Sequence, residues 1–299
     1  MKQVATFHYF LPGVTLAPEV HQRHIDWTKD IGADAALISD LGASYNPNYQ
    51  MFTAQAAQSG LMVADYLEFQ WEDPNLEKLR DRLKQSLVNA EKPNYWKIGG
   101  KPVIGIFLMG YIPEAILKLV YPLLWKFYVI ADGWPECYPM LANYGNCLAN
   151  YMEPQDPTWM AIQARYGKWD PPAIGTAGFA EWQNTFLWGF ERAPGRICGG
   201  IIPYYKNVRS IATALDRDLA VNLSYHYDDT TGFNPPRPRA FHWGSREQDH
   251  FGALCAAMAL QHAKPDILLV KTSTETAENT DQFGCNFAQR QIAQFKAQP

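Results

Sequence analysis

The feature that most constrains the fold is an alternation of short apolar runs with amphipathic segments. The runs are rich in β-branched and aromatic residues, and most are followed by a polar or Gly/Pro-containing loop and then a helix-like stretch. We predict eight strands, at residues 4–10, 34–40, 61–69, 102–108, 127–131, 139–144, 220–227 and 266–272. The predicted helices are 18–31, 49–59, 75–91, 113–125, 158–166 and 245–262.

This alternation predicts an α/β fold, a single (β/α)8 TIM barrel that spans residues 1–299. Residues 173–179 and 199–205 also resemble strands and would raise the count to ten. We interpret residues 169–206 as an elaborated loop region between the sixth and seventh barrel strands. An open doubly wound sheet is the alternative fold. No G-x-G-x-x-G follows the first strand and no Walker lysine is present, which argues against a nucleotide-binding protein.

Composition excludes several classes of protein. With 47% hydrophobic and 19% charged residues, the chain has enough apolar surface for a large core and is too poor in charge to be disordered. A net charge of −4 without any run of Lys or Arg argues against a nucleic-acid partner. The apolar segment 111–130 carries Glu114, Lys118 and Lys126, so we expect a soluble protein with no membrane span.

The amino terminus and the cysteines add two expectations. No apolar signal-peptide segment or small-residue cleavage site follows Lys2, so we expect a cytoplasmic protein, or a secreted or periplasmic one whose leader has been removed. The five cysteines are scattered without a C-x-x-C, which argues against a disulfide framework or a zinc site. We expect no metal and no cofactor.

The active site of a barrel of this kind lies at the carboxyl ends of its strands. Polar residues that close the apolar runs are therefore the candidates, and above all the loop that follows the last strand. Outside that loop, the candidates for substrate binding are His8, Asp40, Glu68, Tyr144, His226 and Asp228.

The loop after the last strand contains two glutamates three residues apart, Glu275 and Glu278. Both can turn into one pocket as the chain leaves the buried strand. A pair of carboxyl groups suits acid/base chemistry, because one can be kept protonated as a proton donor while the other stays ionised. On an ordinary helix the same spacing is usually a solvated face, and its position after the eighth strand favours the catalytic interpretation.

Four stretches resemble the endo-α-mannosidases of glycoside hydrolase family 99 and related barrel proteins of polysaccharide biosynthesis clusters. Residues 273–280 read STETAENT, similar to the family's S-[FW]-N-E-W-x-E-G-T without its Asn, Trp and Gly. Residues 95–104, YWKIGGKPVI, resemble Y-x-x-x-x-G-K-P-[VL] before the fourth strand. Residues 66–69, YLEF, and 225–230, YHYDDT, resemble H-[IL]-E-P-Y and P-G-[FY]-x-D-[NT]. The resemblance runs from about Phe7 to Phe287.

The resemblance implies a retaining glycoside hydrolase that cleaves an α-linked glycan, mannan-like as the first substrate. Glu275 would be the base that draws the proton of the sugar 2-hydroxyl, and Glu278 the acid that protonates the departing oxygen. Glu68 would hold the sugar ring, and Tyr144, at the end of a strand, would touch the reacting sugar. The partner is then an oligosaccharide or polysaccharide.

Two other functions stay open. The altered motif suits a barrel that binds a glycan or works in polysaccharide biosynthesis without hydrolysis, and His8, His226 and Asp228 suit a metal-dependent hydrolase. His21 and His24, three apart on the first helix, are interpreted as a solvated face. Aromatic rings in loop-like stretches are candidates for a glycan cleft: Trp71, Trp182, Trp188 and Trp243.

Overall fold

Eight strands pair in parallel around a closed ring, which confirms the (β/α)8 barrel. The computed structural model describes residues 2–8, 10, 15–40, 47–68, 75–149, 194–224, 227–228, 240–241, 257, 259–271 and 282–298. The barrel strands are β1 (Gln3–His8), β2 (Ala35–Asp40), β3 (Met62–Leu67), β5 (Lys101–Ile106), β6 (Tyr128–Asp132), β7 (Cys147–Ala149), β8 (Asp218–Ser224) and β11 (Ile267–Lys271).

The ring closes where the first and last barrel strands pair. β1 lies between β2 and β11, so that the first and last strands are neighbours, and β3 pairs with β5. In the chain between β3 and β5, the short strand β4 (Lys97–Ile98) forms an antiparallel hairpin with β5 and is not one of the eight barrel strands. A separate two-stranded ribbon joins β9 (Tyr227–Asp228) to β10 (Ala240–Phe241).

Helices cover the outside of the barrel. They are α1 (Pro18–Asp30), α2 (Pro47–Gln58), α3 (Leu76–Asn89), α4 (Glu114–Leu124), α5 (Tyr138–Leu141), α6 (Pro194–Ala214) and α7 (Gln282–Lys296). The first four confirm sequence predictions. Local chemistry explains two of their starts: Pro18 lies in the first turn of α1, and the Asn75 side chain caps α3 by accepting from the Lys78 N–H at 2.9 Å.

The sixth strand was predicted wrongly. Residues 139–144 contain helix α5 and a turn, with Pro139 in the first helical turn, where its missing N–H costs nothing. The true sixth barrel strand is the three-residue β7, too short to show a pattern. Residues 199–205, a rival strand, lie within α6, so part of the predicted loop 169–206 is helical. Residues 158–166 and 173–179 lie outside the described residues, and the single-domain assignment stays a prediction.

Side chains of the barrel strands alternate between two environments, as successive residues of a strand must. On β1, Ala5 and Phe7 join the interior cluster, whereas Val4 packs against the residues of α1 and α7. On β3, Ala64 and Tyr66 face the interior in the same way. No helix in the described part of the chain is long and apolar enough to cross a bilayer.

One interior position has room only for glycine. Gly105 on β5 lies opposite Tyr66 of β3, and a Cβ at Gly105 would lie 2.1 Å from Cδ2 of that ring. The ring is itself held by Phe7, whose centroid lies 4.8 Å away, and by Phe107 at 6.2 Å. The Tyr66 ring therefore fills the space that a side chain at residue 105 would occupy.

We expect Gly105→Ala to lower the free energy of unfolding by about 1–3 kcal/mol, because the added methyl overpacks a filled interior. Urea unfolding of the variant and of the parent measures the loss. The double variant Gly105→Ala with Tyr66→Leu should recover part of it, since the smaller side chain vacates the space above residue 105. A Gly105→Ala variant as stable as the parent would contradict this packing.

Candidate active site

Polar side chains occupy inward-facing positions at or within two residues of the ends of several barrel strands. Ser39 follows the inward Leu37 by two residues on β2, and Glu68 follows the inward Tyr66 by two residues at the end of β3. Asp132 and Asn222 follow the inward Ile130 and Ala220 in the same way on β6 and β8. We call Ser39, Glu68, Asp132 and Asn222 the mouth cluster; all four are buried.

Glu68 is the mouth-cluster residue with the clearest contacts. The Ser39 hydroxyl donates to its Oε1 at 2.6 Å, which ties the ends of β2 and β3 together. Nη1 of Arg82, on α3, donates to the Glu68 backbone carbonyl at 2.6 Å and so fixes the chain where it leaves the strand. The side chain is only 5% exposed. The position of Glu68 suits a residue that holds a ligand, and that role stays a prediction.

Asp132 supports the loop after the neighbouring strand. Its Oδ2 accepts from the backbone N–H of Leu108 at 2.8 Å, and Leu108 has a left-handed φ of 49°. A non-glycine residue in that region costs free energy and persists only where its surroundings hold it. Asp132 therefore holds the loop between β5 and α4 in place.

Sequence reasoning missed Ser39, Asp132 and Asn222. Asp132 directly follows the predicted strand 127–131 and meets the criterion of a polar residue that closes an apolar run. Ser39 lies one residue before the candidate Asp40, and Asn222 lies inside the predicted strand 220–227. Ser39 and Asn222 could have been found from the alternation of inward and outward side chains along each strand, counted from the apolar interior residues.

Several predicted site residues lie outside the described residues: Glu275, Glu278, His226, Trp182 and the other loop tryptophans Trp71, Trp188 and Trp243. Asp40 is the last residue of β2, and Asp228 belongs to the short strand β9. The catalytic role of the glutamate pair and the binding roles of Asp40, His226, Asp228 and Trp182 stay predictions.

His8 does not face the mouth. It follows Phe7, which points into the barrel, and its own side chain points outward to α1 and α2. Nε2 of His8 lies 2.8 Å from Oγ1 of Thr6 and 3.1 Å from Oγ1 of Thr28. The expectation that His8 binds substrate is wrong because the period of the strand turns residue 8 away from the interior.

Tyr144 also lies elsewhere than expected. It is in the turn between α5 and β7, not at the end of a strand. Its ring packs in the layer between barrel and helices, with a centroid 6.0 Å from that of Tyr121, and its hydroxyl bonds to Glu114 of α4 at 3.1 Å. Because the sixth strand begins later than predicted, residue 144 precedes that strand instead of closing it.

His21 and His24 are buried rather than solvated, so the prediction of an exposed helix face is wrong. Both lie on the side of α1 that packs on the barrel, where His8 contacts His24 and His21 contacts Phe10. Burial lowers the pKa of all three histidines, that of His8 well below its usual value and that of His24 to about 4. We call His8, His21 and His24 the histidine cluster.

The histidine cluster is built for the neutral form. The Nδ1 atoms of all three rings are buried without a hydrogen-bond partner. Oγ1 of Thr28 donates to the His24 carbonyl at 2.8 Å, which leaves it an acceptor toward His8. A proton added to Nδ1 would therefore place a charge among apolar rings with no acceptor. In the described part of the chain no three His, Cys, Asp or Glu residues are grouped to hold a metal ion.

Solved glycoside hydrolases share this barrel at low sequence identity. An endo-α-mannosidase of glycoside hydrolase family 99 from Bacteroides thetaiotaomicron, in complex with bis-tris-propane, aligns with a TM-score of 0.64 at 13% identity over 98% of this chain and 97% of that chain. The fold that the two chains share is the TIM barrel. A glycoside hydrolase-like protein gives 0.63 at 10% identity over 98% of this chain and 94% of that one.

A more divergent glycosidase-like TIM barrel extends the comparison. The GH5_18 protein from Streptomyces cattleya, solved in complex with GlcNAc, gives a TM-score of 0.58 at 8% identity over 100% of this chain and 82% of that chain. No family model and no curated protein matches the sequence. The likeness is therefore one of fold.

We expect the histidine cluster to make the fold acid-sensitive. Histidine in the unfolded chain titrates near 6.5, so below that pH the unfolded state binds more protons than the folded state and stability falls. For His24 the loss develops between pH 6.5 and about 4 and is on the order of 3 kcal/mol. Urea unfolding at pH 7.5 and pH 5 measures the loss.

The matched variants are His24→Phe and, at a partly exposed position, His262→Gln. His24→Phe should lose less stability than the parent between the two pH values, because one buried base is gone. His262→Gln should keep the parent's pH dependence. If His24→Phe and the parent lose the same stability, this cluster does not cause the acid sensitivity.

Proposed function

We propose that the protein is a glycoside hydrolase that cleaves an α-linked glycan, with α-mannan as the first candidate. The observation that carries this proposal is the buried, inward-facing Glu68, held by Ser39 at the carboxyl end of the barrel. Barrel enzymes place their chemistry at that end. Carboxylates with fixed orientation suit sugar hydroxyls, because charge-assisted hydrogen bonds are stronger than neutral ones.

The position of Glu275 and Glu278 in the chain supports their role as the reacting pair. β11 ends at Lys271, whose backbone lies beside Phe7 of β1 at the carboxyl end of the barrel. Glu275 follows four residues later, and four residues reach at most about 14 Å from that strand end. α7 begins at Gln282, so the pair belongs to a connection that starts at the mouth.

The proposed mechanism divides the work between three carboxyl groups. Glu275, as base, takes the proton of the 2-hydroxyl, and the freed oxygen attacks the anomeric carbon and displaces the glycosidic oxygen. Glu278, as acid, gives its proton to that departing oxygen. Glu68 accepts hydrogen bonds from other hydroxyls of the ring. Water, which gives its proton to the now ionised Glu278, then attacks the anomeric carbon and opens this 1,2-anhydro ring, while Glu275 returns its proton to the 2-oxygen. Two successive inversions at the anomeric carbon give net retention.

We expect Glu278→Gln to keep far more activity on an activated aryl or fluoride glycoside than on α-mannan, because a good leaving group departs without protonation. Glu275→Gln should lose activity on both substrates, since the base acts before any leaving group departs. The losses should be about a hundredfold to ten-thousandfold. Release of reducing ends and of the aryl or fluoride group measures them, with Glu91→Gln at an exposed position as the control.

Equal losses of both variants on both substrate types would contradict the division of roles. Rescue of Glu275→Gln alone by the better leaving group would reverse it. Activity of both variants at the level of Glu91→Gln would remove the pair from the chemistry altogether.

We expect Glu68→Gln to weaken oligosaccharide binding without unfolding the protein. The amide oxygen can still accept from the Ser39 hydroxyl, so the packing is kept, whereas the negative charge toward the ligand is lost. A charged hydrogen bond contributes about 1.5–3 kcal/mol, so the dissociation constant should rise roughly tenfold to a hundredfold. Isothermal titration calorimetry in the Glu278→Gln background measures it. Binding equal to that of the background would contradict the role of Glu68.

A second candidate is a barrel that binds a glycan without cleaving it. The observation that favours it is the absence, around Glu275 and Glu278, of the Asn, Trp and Gly that the family motif carries. Such a protein would bind oligosaccharides and release no reducing ends from any α-mannan. His8 faces away from the mouth, so a metal-dependent hydrolase would lack one of its proposed ligands there.

A further inference from the structure

Two neighbouring loops at the carboxyl end of the barrel carry a bonded pair of aromatic residues. The loop after β5 contains a 3-10 helix, Met109–Tyr111, and the loop after β6 contains Trp134. Nε1 of Trp134 donates to the hydroxyl of Tyr111 at 2.9 Å. Because β5 and β6 are adjacent parallel strands, the two loops lie side by side on the rim of the mouth. We call Tyr111 and Trp134 the rim pair.

The two loops are held together by direct contacts, so we expect the rim pair to be in place before any ligand arrives. A Cβ on Gly110 would lie 3.0 Å from Sγ of Cys137, which shows how closely the loops approach. The Gly133 N–H donates to the Ala149 carbonyl at 2.9 Å, and the mouth-cluster residue Asp132 accepts from the loop after β5. A preorganised surface loses little conformational entropy when it binds.

The rim pair combines exposed apolar rings with polar atoms. Tyr111 is 63% exposed and Trp134 is partly exposed. Tyrosine and tryptophan are enriched at binding surfaces because each joins a large apolar face to a hydrogen-bonding group. A sugar ring has the matching character, an apolar C–H face bordered by hydroxyls.

The charged residues of the two loops indicate which kind of glycan the rim pair can bind. Residues 107–113 and 133–137 contain no Lys or Arg, and their one charged residue is the exposed Glu136. A phosphate or a uronate would meet no cation in these loops and one like charge. The loops suit a neutral glycan.

We infer that the rim pair is a binding subsite that stacks on a neutral sugar ring outside the bond-cleaving centre. The inference rests on the proposed function and adds to it a substrate class, a neutral oligosaccharide of several units. The pair positions the chain of sugars, while the mouth cluster holds the ring that reacts.

The test measures oligosaccharide affinity by calorimetry in the Glu278→Gln background, with α-linked mannobiose, mannotetraose and a charged oligouronate as probes. We expect Tyr111→Ala and Trp134→Ala to weaken mannotetraose binding at least tenfold, and mannobiose binding less, because the shorter ligand does not span mouth and rim. Tyr111→Phe keeps the ring and loses only the hydroxyl that bonds to the indole, so it should cause a smaller loss than Tyr111→Ala.

The matched control is Trp125→Ala. Trp125 is 64% exposed, as Tyr111 is 63%, but it caps the far end of α4 and packs under Nζ of Lys101 at the start of β5. It therefore lies toward the opposite end of the barrel. Its removal should leave mannotetraose affinity within twofold of the background.

Each outcome separates this inference from the proposed function. If the parent hydrolyses α-mannan but Tyr111→Ala and Trp134→Ala bind mannotetraose with unchanged affinity, the subsite is wrong and the proposed hydrolase function stands. If the parent binds mannotetraose without hydrolysing α-mannan, and the rim variants lose that binding, the subsite is supported and the proposed hydrolase function is wrong. A protein that binds no neutral oligosaccharide, or prefers the oligouronate, overturns the subsite.

Discussion

The closed ring of parallel strands decides which side chains can take part in chemistry. Each strand residue faces either the interior or the helices, and a shift of one residue exchanges the two. On β1 this sends Phe7 inward and His8 outward, although both stand at the same strand end. On β2 and β3 it sends Ser39 and Glu68 to the mouth. The register of the barrel strands therefore determines which polar side chains form the candidate site.

Large side chains fill the barrel interior beneath the mouth. The rings of Phe7, Tyr66 and Phe107 contact one another, with Tyr66 lying over Gly105. Glu68 lies two residues beyond Tyr66, at the edge of this aromatic floor. A carboxyl group in such a position has little contact with solvent, so a hydrogen bond that it made to a ligand would be stronger than in bulk water.

The sequence was informative where an element is long and regular. Seven of the eight barrel strands were predicted near their true positions, because each is a run of five or more residues that includes β-branched or aromatic ones. β7 was missed because its three residues, Cys147–Ala149, are too few to show an alternating pattern. The sixth strand was instead assigned to the nearby residues 139–144, which include helix α5. The side on which a strand-end residue faces was not apparent either, since it depends on register. His8 was misplaced for that reason, and Ser39 was overlooked.

The histidine cluster shows a second limit of sequence reasoning. Polar residues three apart on a helix indicate a solvated face on average, yet α1 buries His21 against Phe10 and Phe52 and buries His24 against His8. Neutral imidazole can be buried at modest cost, so composition does not distinguish the two cases. The two cases are distinguished only by the contacts that the histidines make with the neighbouring helix and strand.

A crystal structure of Glu278→Gln with an α-linked manno-oligosaccharide would show whether the mouth of the barrel binds the substrate and which carboxyl groups face the reacting bond. We expect sugar at the carboxyl end of the barrel, with a ring hydroxyl within hydrogen-bond distance of Glu68 and the anomeric carbon facing Glu275 and residue 278. Sugar bound between the outer helices, or in the mouth with its anomeric carbon remote from residues 275 and 278, would contradict it.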